Sequence, residues 1–199
     1  MMAAMPEALN ARDVLDFWFG EPGSPEYGTA RKMWFRKDDA FDAQLRERFG
    51  ALLDAACAGE LDAWGASTEG ALALVIVLDQ FSRNCYRGTP RAFAADEHAL
   101  ALARRLVASG ADRTLPTVFH RVFAYLPFEH AESMEAQRDS LRLFGELAPD
   151  PDGEGYYDYA VRHADVIARF GRFPHRNAVL GRASSDAELA FLREPGSSF

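Results

Sequence analysis

The sequence predicts an all-α protein, and three observations carry that prediction. No segment sustains an apolar/polar alternation of period two, every long segment repeats its apolar residues at about 3.6, and Gly and Pro close each segment after a few turns. About eight or nine helices joined by short turns follow, arranged as a bundle or as an array of helix pairs.

The elements can be justified in order. Asn10 followed by Asp13 is an N-cap with an acidic first turn, and the helix it starts carries Val14, Phe17 and Trp18 before stopping at Gly20. Glu21 to Gly28 is turn chemistry, and a short helix around Met33-Trp34-Phe35 follows. Asp38 caps a longer amphipathic helix with Phe41, Leu45, Phe49, Leu52 and Ala56 on one face, ending at Gly59. After a connector holding Leu61 and Trp64, Ser67 or Thr68 starts the central helix. It opens on the most apolar run in the chain, Leu72 to Leu78, and should end near Arg87-Gly88. A helix that is apolar all round is a buried one.

Thr89-Pro90 opens the next helix, with a brief break near Ala95 and a run to Gly110. Pro116 opens another, carrying Phe119, Val122, Phe123 and Leu126, which Pro127 should kink or end. From Phe128 a helix is expected to run to Leu147, followed by the Pro/Asp/Gly linker at 148–155. A helix from Tyr156 to Phe170 should turn Tyr159, Val166, Ile167 and Phe170 inwards. Gly171 to Asn177 is a rigid turn before a short segment to Gly181. Ser185 with Glu188 is a capping box for the last helix, through Leu189 and Leu192.

At 199 residues the chain fits one helical domain. An N-terminal helical part covers about 8–65, a core and polar part about 67–193, and a loose tail 194–199. A net charge of −8 and a pI near 5.1 argue against nucleic acid and anionic membranes as partners. Cys57 and Cys85 have no C-x-x-C spacing and are expected to be small buried hydrophobes in a reducing compartment. Met1 to Glu7 lacks the basic start and apolar run of a secretion signal, and the run at Leu72 is too short to span a bilayer, so a cytoplasmic location is expected.

Three polar clusters lie among apolar and aromatic residues, where a charge needs a partner. The first is Asp79, Gln80, Arg83, Asn84 and Arg87 at the end of the apolar run; Asp79 and Arg83, four apart, can pair. The second is Glu129-His130-Ala131-Glu132 after Leu126-Pro127-Phe128, in which His130 is a candidate acid or base held by a carboxylate. The third is His163, Asp165, Arg169, Arg172, His175, Arg176 and Asn177. Here Asp165, Arg169 and Arg172 are expected to pair along one face, and the turn around Phe173-Pro174 can cradle an anion with arginine forks or cap helix ends. No H-x-x-x-H, H-E-x-x-H or E-x-x-H spacing, Gly-rich phosphate loop or G-x-S-x-G elbow occurs, so no metal or cofactor is expected.

These motifs taken together resemble a known bacterial family. Leu78-Asp79-Gln80-Phe81-x-Arg83-Asn84, Arg87-Gly88-Thr89-Pro90-x-Ala92-Phe93-Ala94-x-Asp96, Leu126-Pro127-Phe128-x-His130-x-Glu132 and Arg169 to Asn177 are similar to those of the domain of unknown function 924 family. The Trp18-Phe19 and Trp34-Phe35 pairs and the segment Ser184 to Leu192 fit as well. The resemblance implies an all-helical, tetratricopeptide-repeat-like fold with no established activity. Ser82 stands where the family pattern leads one to expect proline, which should let the central helix run on smoothly, and Ala131 stands where serine is expected.

Two functional readings follow. In the first, the clusters meet in a cleft that binds a small anionic molecule and can act as an enzyme: His130, Glu132 and His175 as catalytic groups, and Asp79, Arg83, Asn84, Arg87, Glu129, His163, Arg172, Arg176 and Asn177 as ligand-binding groups. In the second, the chain is a tetratricopeptide-repeat-like module that binds a protein or peptide in a groove, and the same clusters are packing networks.

Overall fold

The computed structural model describes residues 9–198. Within them lie eight α-helices and no strand. They are α1 (Ala11–Phe19), α2 (Asp39–Cys57), α3 (Thr68–Ile76, carried through a π turn at Val77–Phe81 into Ser82–Cys85) and α4 (Asp96–Ala108). After them come α5 (Val118–His130), α6 (Met134–Leu147), α7 (Glu154–Phe170) and α8 (Asp186–Phe191). Short 3-10 turns fill several connections, including Lys32–Trp34, Pro90–Ala92 and Pro174–Arg176. The secretion-signal reading of residues 1–7 and the Phe199 end of the tail lie outside the described residues.

The caps follow the sequence. Asn10 and Asp13 form a reciprocal capping box, Asp38 accepts from Ala40 and Phe41, Ser67 accepts from Gly70, and Ser185 and Glu188 form the second box. α3 is the axis of the molecule, packed by α1, α2, α4 and α5, and every residue from Ala71 to Ser82 is buried. Trp18, Phe81 and Phe123 form one aromatic run across α1, α3 and α5, with centroids 5.5 and 5.4 Å apart. A second, smaller apolar cluster joins Val166 and Ile167 of α7 to Phe173 and Phe191.

Four expectations need correcting. α3 stops at Cys85 because Arg46 of α2 takes the Cys85 carbonyl through Nε and Nη2 at 2.9 and 2.6 Å. It is also not smooth before Ser82, since the π turn inserts there. Pro127 does not end α5, which runs on to His130. The proline sits in the last turn, so its missing N–H costs one bond close to a helix end. The next helix then starts at Met134 under a Ser133 cap, and Gln137 closes the gap by donating to the carbonyls of Glu129 and Ala131 at 2.7 and 2.9 Å.

Smaller differences concern single side chains. Cys57 is exposed while Cys85 is buried, and Tyr159 points outwards at 53% exposure. Arg172 pairs with Glu188, and Arg169 lies over Phe170 and Phe191, in place of the expected pairing with Asp165. The tail is anchored near its end, where Ser197 is buried and donates to the Leu192 carbonyl at 3.2 Å.

Among the described residues no helix is long and apolar enough to cross a membrane.

Candidate functional site

The end of α3, the start of α4, the end of α5, the middle of α7 and the turn after α7 converge on one polar centre. The π turn carries Asp79 there, and π turns are frequent at functional sites. The αL glycine at the α7 C-cap, Gly171 (φ 69°), reverses the chain so that Phe173 to Arg176 come back over the α5 terminus.

Asp79, 1% exposed, is the hub. Its carboxylate lies 2.7 Å from His130 Nδ1, 2.6 Å from Gln80 Nε2 and 3.1 Å from Arg83 Nη1. Burial alone would raise its pKa, but Arg83, His130 and Gln80 outweigh that and hold it well below the usual carboxylate range. An ionised carboxylate can only accept, so His130 Nδ1 must be the donor. In the neutral ring Nε2 then carries the lone pair. The neutral form is favoured because burial and Arg83 push the His130 pKa down, against the opposing pull of Asp79 and Asp96. Nε2 has no hydrogen-bond partner among the described residues and is not sealed from solvent; the side chain keeps 15% of its surface exposed.

Two arginines frame the histidine. Arg83 forks onto Asp96 at 2.9 and 3.0 Å and donates to the Asp79 carbonyl at 2.9 Å. Arg176, 6% exposed, reaches Asp96 at 3.2 Å and the His130 carbonyl at 3.0 Å, while its buried Nε has no hydrogen-bond partner. Phe93 lies under both guanidinium groups, at 5.6 and 4.6 Å, and Phe173 flanks Arg176 at 4.6 Å. Burial and Arg83 bring the Arg176 pKa down to about 10.

A second buried pair stands beside the first. His163 Nδ1 donates to the Tyr159 carbonyl at 2.8 Å and lies 3.1 Å from Glu129 Oε1, and the His163 and His130 rings are 6.2 Å apart. Burial, reinforced by His130, drives the His163 pKa down to about 3, and burial with Asp79 pushes Glu129 up to about 8. His175 borders the same space, packed on Phe173 at 5.7 Å; burial, Arg176 and Arg83 lower it to about 4.

The structure therefore brings Asp79, Arg83, Glu129, His130, His163, Arg176 and His175 to one place and sends the other candidates elsewhere. Asn84 and Arg87 turn to the opposite side of α3, where both bind Asp42 at 2.7 Å. Glu132 is clamped by Arg182 at 2.6 and 2.9 Å and by the Phe173 amide at 2.7 Å, so its acceptors are spent on fixing the turn. Asn177 holds Ser184 and Arg182, and Arg172 holds Glu188. Asp96 and Phe93 were not among the predicted site residues although they lie in the Arg87–Asp96 motif. Arg182 and Asp42 had no local signal as ion-pair partners, since Glu132 and Asn84 are 50 and 42 residues away from them. Among the described residues no group of three or more His, Cys, Asp or Glu is placed to hold a metal ion.

With the fold and this geometry in hand, the comparison with known proteins is direct. The family described as a bacterial protein of unknown function (DUF924) matches residues 14–196. The chain belongs to this family. A solved structure of a protein of unknown function from Agrobacterium tumefaciens, ATU0120, is similar to it at 40% identity with a TM-score of 0.80, covering 92% of this chain and 96% of the other. No curated protein matches the chain. Membership of the DUF924 family thus rests on both sequence and fold, and the reading of the site rests on its own geometry.

Proposed function

We propose that the cleft is an acid–base site for a small molecule carrying an anionic group, with His130 as the general base. The observation that carries this is the Asp79–His130 contact of 2.7 Å, a buried carboxylate that fixes the imidazole tautomer and leaves Nε2 unpaired on a side chain that is 15% exposed. An orienting carboxylate and a neutral ring with a lone pair directed outwards are what proton abstraction near neutral pH needs. No hydroxyl or thiol is hydrogen-bonded to His130 among the described residues, which favours proton transfer to or from the bound molecule over a covalent nucleophile.

The ligand class follows from Arg176. Its Nε is buried without an acceptor, so an anionic oxygen would reach it only if the turn carrying Arg176 shifts, and that contact would satisfy it. Asp96, itself fixed by Arg83, would hold Arg176 in position, and Phe93 would form one wall beside both arginines.

The test is incubation of the protein with a defined mixture of small phosphorylated and carboxylated metabolites, read by mass spectrometry beside a His130→Gln variant. The reading expects a compound consumed by the wild type and untouched by the variant, which keeps its fold. No consumption by the wild type, with no change in its histidine NMR signals on adding the mixture, would overturn it.

The tetratricopeptide-repeat-like module remains the second reading, favoured by the exposed aromatic side chains Phe35, Tyr157 and Tyr159 at 60, 36 and 53% exposure. Under that reading Phe35→Ser with Tyr159→Ser abolishes capture of a partner from lysate, while His130→Gln has no effect.

A further inference from the structure

Among the described residues Glu129 has a histidine, His163, as its ion-pair neighbour and no arginine or lysine. Glu129 is 4% exposed, and the nitrogen nearest its Oε1, His163 Nδ1, already aims its proton at the Tyr159 carbonyl 2.8 Å away. Among the described residues the arginines near it are paired elsewhere. On α3, Arg83 is committed to Asp79 and to Asp96 of α4. On the turn after α7, Arg176 is committed to Asp96 and the His130 carbonyl. On its own helix and just beyond, His130 is bound to Asp79, and Glu132 to Arg182. His163 and His175 are themselves held neutral by burial and by the neighbouring cations. The ionised Asp79 carboxylate stands close enough to oppose a second negative charge.

We infer that Glu129 is the acid of this cleft, a carboxylic acid whose proton is given to the bound molecule while His130 takes another from it. This rests on the reading of His130 as the base. Two features place the pair in one neighbourhood: they are consecutive at the α5 terminus, and both border the His163 ring, one at 3.1 Å from its Nδ1 and the other at 6.2 Å between ring centres. The other oxygen, Oε2, has no hydrogen-bond partner among the described residues, and the side chain keeps 5% of its surface exposed.

The step balances without a co-reactant. His130 Nε2 forms an N–H bond as the X–H bond of the substrate breaks, and that electron pair shifts through the substrate to a second atom. This atom takes the proton as the Oε2–H bond of Glu129 breaks. The substrate leaves with a proton relocated, and the imidazolium and carboxylate left behind return to their neutral forms by proton exchange with water at the mouth. Environments that push an acid and a base apart in pKa are how such assignments are recognised.

The test is infrared spectroscopy of protein carrying 13C-carboxyl glutamate, wild type against Glu129→Gln, from pH 6 to 10. The inference expects a protonated-carboxyl band at pH 7 that is missing from the variant and disappears from the wild type as pH rises past about 8. Absence of that band would mean an ionised Glu129 paired with a charged His163 and would overturn the inference, whatever His130 does. For the compound returned by the mass-spectrometric screen, Glu129→Gln should lower kcat by about 100-fold or more with little change in KM. An unchanged kcat in Glu129→Gln, with turnover still lost in His130→Gln, would overturn the role of Glu129 alone.

Discussion

Two polar networks hang from opposite sides of the last turns of α3, and they differ in a way that separates packing from function. On one side Asp42 accepts from Asn84 and from the Arg87 fork, so one carboxylate meets one cation and one amide, and the rest of the Arg87 side chain is 39% exposed to water. On the other side Asp79, Arg83, Asp96 and Arg176 also balance their charges. Yet among the described residues His130 Nε2 has no hydrogen-bond partner, the buried Arg176 Nε has none either, and Glu129 is paired with a histidine and no arginine or lysine. A closed network fixes helices; an open one holds capacity for a further molecule. The same helix turn makes both because the π turn sets Asp79 and Arg83 on one side and leaves Asn84 and Arg87 on the other.

Breaking the open network at its hub should have the largest effect. Asp79→Ala leaves Arg83 and His130 facing a buried gap, and removing one partner of a buried pair costs on the order of 3–5 kcal/mol. Urea denaturation should show the loss as a lower midpoint at an unchanged slope. Asp42→Asn should cost less, about 1–2 kcal/mol, because Arg87 is 39% exposed and water replaces part of the lost contact. It should also leave turnover of any compound found by the metabolite screen intact, whereas Asp79→Ala should abolish it.

The pH dependence of stability should sharpen the contrast. His120, His163 and His175 have folded pKa values of about 4, 3 and 4 against an ordinary value of 6.5. The unfolded chain therefore binds more protons below 6.5, and stability falls as pH falls. Glu129 works in the other direction, with a folded value of about 8 against 4.5, so the folded chain binds more protons and stability falls as pH rises towards 8. Between 6.5 and 8 Glu129 should dominate this cluster, with a slope of at most about 1.4 kcal/mol per pH unit. Thermal melts across that window should decline for the wild type and stay flat for Glu129→Gln. The smallest effect on stability, under about 1 kcal/mol, is expected for His130→Gln, since the amide can still donate to Asp79.

Much of the fold was readable because it is written locally. Asn10, Asp38, Ser67 and Ser185 each cap the helix that the sequence assigns to them, and the apolar run at Leu72 is the buried axis. The errors arose where a tertiary contact decides a local outcome. Arg46 ends α3 from another helix, Gln137 caps α5 from the helix after it, and the π turn has no signature among residues of ordinary helix propensity. The site was readable by residue type and not by partner. His130 needed Asp79, 51 positions away, and Arg176 needed Asp96, 80 positions away, while equally polar Arg87, Arg172 and Glu132 found carboxylates or arginines of their own. Asp96 shows the reverse case, a residue inside a quoted motif whose role as the bridge between two arginines needs the third dimension.

The central claim is that Asp79 holds His130 as a neutral imidazole with its proton on Nδ1. Two-dimensional 15N NMR of the histidine rings, at pH 7 in the wild type and in Asp79→Asn, measures this directly. The account predicts a wild-type His130 with a protonated Nδ1 and a lone-paired Nε2, and a loss of that preference in the variant. A His130 ring protonated on both nitrogens at pH 7, or carrying its single proton on Nε2, would contradict it.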